Sequence, residues 1–116
     1  MRMRTNTAAG RPGYIPPQRI IVWREVMATY LIEREVPGAG ELSPEQLKSM
    51  SAASLEVLNK MGPQIQWINS YVINDKNYCV YISPNEQMIR EHAKTCGIPA
   101  GQISEIKSQI SPSTAG

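Results

Sequence analysis

The order of elements in this 116-residue chain predicts an α+β fold, β-α-β-β-α-β, with four antiparallel strands and two helices. Two observations predict it. Two helical segments each open on a Ser-Pro pair and close at a Gly-Pro or Gly-x-Pro stop, and between them lie two strand-forming runs joined by a polar turn.

The first strand is Thr29 to Val36, rich in strand formers and closed by Pro37-Gly38-Ala39-Gly40. Its charges begin at Glu33, which places its second half in solvent, at a cavity or at an interface. A helix follows. Ser43 is its N-cap, Pro44 suits the first helical position and Gln46 completes a capping box. Leu47, Met50, Ser54, Val57, Leu58 and Met61 recur at spacings of three and four and form one stripe, and Gly62-Pro63 ends it.

Ile65–Ile73 and Tyr78–Ile82 then form a hairpin about the turn Asn74-Asp75-Lys76-Asn77. Strict alternation puts Trp67, Asn69, Tyr71 and Ile73 on one face of its first arm. On its second arm Cys79 and Tyr81 oppose Tyr78, Val80 and Ile82. The second helix repeats the grammar of the first, with Ser83 as N-cap, Pro84 in the first turn and Glu86 in a capping box. Met88, Ile89, His92, Ala93 and Cys96 form its apolar side. A last strand is expected within Ile103–Ile110, because the topology needs one, and a frayed tail from Pro112 to Gly116. This arrangement is the ferredoxin-like split βαβ, with both helices on one face of the sheet. The other face, bare and partly apolar, predicts a homodimer.

Charge divides the chain. Residues 1–26 carry five arginines against one glutamate, net +4, and the remaining seven basic and nine acidic residues give −2. The basic balance belongs to the leader, which argues against a nucleic-acid surface on the domain. The leader mixes Arg, Thr, Gly and Pro without a period and reads as disordered, an upstream extension preceding a start at Met27. The domain is expected over residues 27–111. No apolar run approaches the ~18 residues of a membrane span. Cys79 and Cys96 read as free thiols, which implies a reducing, cytoplasmic setting.

His92 is the single histidine, so imidazole chemistry must pass through it. It is either a core histidine bonded to a backbone carbonyl or a metal ligand or general base near Glu33 or a tyrosine. Glu33 is either an exposed residue paired with a cross-strand cation or a carboxylate aimed into a cavity. Trp67, Tyr71 and Tyr81 share a face in simple register, as interface packing or as the lining of a small-molecule pocket. No phosphate loop, Rossmann fingerprint, nucleophile elbow or zinc-protease motif is present.

The segments Tyr30-Leu31-Ile32-Glu33-Arg34-Glu35-Val36-Pro37-Gly38-Ala39-Gly40, Gln64-Ile65-Gln66-Trp67-Ile68-Asn69-Ser70-Tyr71-Val72, Tyr78-Cys79-Val80-Tyr81-Ile82-Ser83-Pro84-Asn85-Glu86, Arg90-Glu91-His92-Ala93 and Gly97-Ile98-Pro99-Ala100 carry a resemblance. Together they resemble a family of small bacterial proteins, common in actinobacteria, described as nickel-binding and otherwise of undefined role. The resemblance implies a ferredoxin-like homodimer that holds nickel through nitrogen and oxygen ligands, other divalent transition metals being compatible with the same donors. Glu33 and His92 are then the candidate ligands of one subunit, with Glu91 or Glu35 from the partner. The competing expectations are a cofactor-free α+β-barrel enzyme or apolar-ligand binder of monooxygenase or isomerase type, and a non-catalytic interaction domain.

Overall fold

The computed structural model describes residues 27–116, together with Gly13, so the expected disordered leader lies outside the described residues. The elements are β1 (Ala28–Glu35), α1 (Pro44–Met61), β2 (Gln66–Val72), β3 (Lys76–Ser83), α2 (Glu86–Cys96) and β4 (Ile103–Glu105). Single turns of 3₁₀ helix lie at Ala39–Glu41 and Pro112–Ala115.

Local chemistry accounts for most boundaries. The Ser43 side chain accepts from the Gln46 amide at 3.1 Å while the Gln46 side chain accepts from the Ser43 amide at 2.8 Å, the reciprocal bond pair of a capping box. Gly62 ends α1 at a φ of 99°, a backbone conformation that favours glycine. The second helix begins later than its sequence predicts. Asn85 is the N-cap, its side chain accepting from the Met88 amide at 2.9 Å, and Ser83 Oγ bonds the Asn85 carbonyl instead. Asn is as good a cap as Ser, and Ser83 is already committed to the end of β3.

The four strands form one antiparallel α+β sheet in the order β2-β3-β1-β4. β1 pairs with β3 over its whole length, from Ala28 opposite Ser83 to Glu35 opposite Lys76. Paired residues share a face, so Tyr30, Ile32 and Arg34 lie with Tyr81, Cys79 and Asn77. That face meets both helices. Ile32, Cys79 and Tyr81 pack with Leu58 of α1, Ile89 of α2 and Ile65 in one core cluster. The opposite face carries Leu31, Glu33, Tyr78, Val80 and Ile82 without a covering layer among the described residues.

Two expectations are corrected. β2 has a bulge between Trp67 and Asn69, which moves its register by one residue. Trp67 opposes Tyr81 on the helix side, Ser70 opposes Cys79 there, and Tyr71 opposes Tyr78 on the open face. The sequence shows no glycine or proline to mark the bulge; a bond from Trp67 Nε1 to Ser70 Oγ (2.9 Å) links the two inward residues across it. The last strand is also shorter than expected. It stops at Glu105, and Ile110 is 80% exposed. Beyond it the exposed tail holds a 3₁₀ turn at Pro112–Ala115.

β1–β4 pairing continues past the short strand: the Gly101 amide donates to the Glu33 carbonyl (3.0 Å) and the Glu33 amide to the Gln102 carbonyl (2.9 Å). Gly101 is required there by proximity, since a Cβ would stand 2.6 Å from the Glu33 carbonyl oxygen. Gly101→Ala is therefore expected to push the loop off β1 and lower stability by about 1–3 kcal/mol, read as the midpoint of urea unfolding.

Candidate functional site

The inward face of β1 ends on a buried cation. Arg34 is 2% exposed, and among the described residues it has no carboxylate partner. Its Nε donates to Cys79 Sγ (3.5 Å), one terminal nitrogen donates to the Pro99 carbonyl, and the other donates to Tyr81 Oη (3.5 Å). The guanidinium also lies 5.9 Å from the centre of the Tyr81 ring.

The Tyr81 ring leads from Arg34 to His92, their ring centres 5.5 Å apart and tilted by 56°. His92 is fully buried on the inner face of α2. Its Nε2 meets three atoms: Ser54 Oγ at 3.2 Å, Cys96 Sγ at 3.3 Å and the Ser54 carbonyl at 3.4 Å. Among the described residues Nδ1 is buried without a partner, as is Asn77 Oδ1, whose residue stands opposite Arg34. Serine at position 54 is the polar member of the apolar stripe of α1, and the contact with His92 gives its hydroxyl a partner.

Burial controls the charge states. Desolvation, with the Arg34 charge adding to it, holds the His92 imidazolium below its ordinary pKa, against a smaller opposing effect of the bond to the Ser54 backbone. Burial pushes the Cys96 thiol up, partly opposed by Arg34, and pushes the Tyr81 phenol up as well. Among the described residues the buried guanidinium of Arg34 thus lies near groups whose charged forms burial disfavours.

The remaining candidates lie elsewhere. Glu33 is on the open face and bonds the cross-strand Lys76 ammonium at 2.5 Å, which Glu35 joins at 3.4 Å. These two carboxylates raise the Lys76 pKa. Glu91 is exposed on α2, one residue from the inward His92. Within one chain the structure does not bring Glu33 or Glu91 to His92, and no three His, Cys, Asp or Glu side chains converge among the described residues. The aromatic trio is separated too. Tyr81 is in the core, Tyr71 is 58% exposed on the open face, and Trp67 borders an open groove of about 530 Å³ with Leu55, Leu58, Pro63 and Ile65. Trp67 and Tyr81 remain opposite one another on the helix side, and past the bulge Tyr71 alone turns to the open face.

Arg34 and Ser54 escape a reading of the sequence for chemistry. Strand parity with Tyr30 and Ile32 carries the signal for Arg34, and i, i+4 spacing on α2 carries that for the His92–Cys96 contact.

The fold and site define a small α+β protein with a polar centre beneath its helices and a bare sheet face. The family described as nickel responsive protein SCO4226-like matches residues 30–106, and the chain belongs to it. The crystal structure of SCO4226 from Streptomyces coelicolor A3(2) superposes with a TM-score of 0.61 over 72% of this chain and 100% of that one, at 16% identity. Comparison with curated proteins gives no match. Among the described residues no helix is long and apolar enough to cross a membrane.

The buried imidazole sets an acid limit on the metal-free protein. Its pKa is lowered on folding, so the unfolded chain binds the proton more readily. Stability is complete above the unfolded value of about 6.5 and falls as pH drops below it, by at most about 1.4 kcal/mol per pH unit from this group. Urea unfolding with chelator present, between pH 7.5 and 5, is expected to show this slope, and His92→Gln to remove it.

Proposed function

We propose that this chain is a nickel-binding protein of nickel handling or sensing in the cytoplasm, built on a ferredoxin-like domain of residues 27–111 that acts as a homodimer. Membership of the nickel-responsive family is the observation that carries the reading. The strand order β2-β3-β1-β4 with both helices packed on one face supports the ferredoxin-like assignment.

The bare face supports the dimer. Leu31, Tyr78, Val80 and Ile82 form an apolar strip across β1 and β3, continued by Tyr71 on β2. In a domain of this size such a face is costly to leave in water, and a second copy covers it by two-fold symmetry. The Lys76–Glu33–Glu35 group lies at one end of the strip, where it limits the apolar area and fixes the orientation of the pair.

His92 is the imidazole donor of the proposal. Glu33, on the open sheet face, serves nickel as a carboxylate between copies, and Glu91, exposed on α2, only at the outer surface of the helical layer. Nickel suits a mixed set of imidazole and oxygen ligands completed by water.

Calorimetric titration of the full chain with nickel is the test. Saturable binding with a Kd of about micromolar or tighter is expected, and absence of heat overturns the reading. Sedimentation at micromolar concentration is expected to give a dimer. A monomer there overturns the assembly.

A further inference from the structure

Apolar surface is left at both edges of the sheet. At one edge the chain leaves β4: the Ile106 amide donates to the Thr29 carbonyl (2.7 Å), and every residue from Lys107 onward is exposed. Ile110 is 80% exposed, the highest value among the large hydrophobic side chains of the described residues. At the other edge β2 pairs only with β3 among the described residues, and its start borders the open groove lined by Leu55, Leu58, Pro63, Ile65 and Trp67. Leu55 is 48% exposed, as is half of Ile68, the residue after Trp67. Because neighbouring strands are antiparallel, the end of β4, the start of β1, the end of β3 and the start of β2 lie at one end of the sheet. Within one chain the entry to β1 at Ala28 and the Ser83–Asn85 connection stand between the tail and the groove.

We propose that the C-terminal tail of one copy, led by Ile110, docks in the groove beside Trp67 of a second copy, and that the exchange is reciprocal. The proposal rests on the homodimer reading above and adds a second contact to it. A two-fold axis can stack two bare sheet faces in two ways. An axis across the strands sets β4 over β4 at opposite ends and sends the tails apart. An axis along the strands sets β4 over the partner's β2 and keeps like ends together. Only the second arrangement brings each tail to a groove. Stacked sheets lie about 10 Å apart, and the five residues Ile106–Ile110 reach up to about 16 Å when extended. The surplus carries Ile110 around the free edge of β2 to the helix side, where the groove opens. The tail then also covers the edge of β2, which is otherwise a template for unselective strand pairing. Each copy buries one isoleucine in this way, so symmetry supplies the contact twice.

The full chain is followed by sedimentation across a dilution series, wild type beside Ile110→Asp. Ile110 is exposed in its own chain, so the substitution is expected to leave the far-ultraviolet circular dichroism unchanged. It is expected to raise the dimer Kd by about a hundredfold, since two isoleucines are lost per dimer. In a dimer mixed from isotope-labelled and unlabelled copies, filtered NMR is expected to show the Ile110 methyls against the Trp67 ring of the other copy. An equal Kd in Ile110→Asp overturns the exchange and leaves the face-to-face dimer standing. So does a Trp67 ring met by any other segment, or by Ile110 of the same copy. A wild type that is monomeric at micromolar concentration overturns both.

Discussion

The buried guanidinium of Arg34 is the constraint around which the rest of the domain is arranged. Taking a charged group out of water costs several kcal/mol, and the cost is normally met by an opposite charge. No carboxylate among the described residues does so here. Three neutral acceptors and an aromatic ring take its place, and each comes from a different part of the chain or from a different strand position: Cys79 and Tyr81 on β3, and the Pro99 carbonyl after α2. The Pro99 carbonyl lies in the loop two residues past the left-handed Gly97 that ends α2. The fixed fork of guanidinium N–H groups is what lets one side chain reach all of these at once, which a lysine cannot do.

Much of the site follows from this arrangement. The loop from Pro99 to Gln102 is held to β1 by the Arg34 bond and by the two backbone bonds of Glu33, and this is what lets a strand of three residues serve as the edge of the sheet. Burial, with the Arg34 charge adding to it, lowers the pKa of His92. Tyr81 lies between Arg34 and His92, its ring close to both and its hydroxyl accepting from Arg34. The apolar core is small, with Ile32, Leu58, Ile65 and Ile89 as its aliphatic members, so polar contacts carry more of the specificity than in a larger domain.

How much of this was legible depended on whether a local signal existed. The α1 boundaries were written in Ser43, Pro44, Gln46 and Gly62, and the structure reproduces each. The hairpin and the face assignment of β3 followed from alternation alone. The start of α2 was ambiguous because Ser83 and Asn85 are both good caps, and tertiary commitment of Ser83 decided it. The bulge at β2 had no marker, so the aromatic trio was assigned to one face and proved to be divided. For the candidate site, His92 was legible as the only histidine and Glu33 as half of a cross-strand ion pair, one of the two readings its position allowed. Arg34 was passed over because charge argues for exposure while parity argues for burial, and only the acceptors supplied by distant residues make burial possible. Ser54 was read as part of a stripe and not as a partner for the histidine, since a contact between helices leaves no trace in spacing along one of them.

The measurement that bears most directly on this account is amide hydrogen exchange in Arg34→Lys, which keeps the buried charge and removes the fork. If the guanidinium holds the Pro99–Gln102 loop to β1, the amides of Glu33 and Gly101 lose protection selectively and global stability falls by about 2–4 kcal/mol. Unchanged protection at those two amides, with stability equal to the wild type, would contradict the central place given to Arg34.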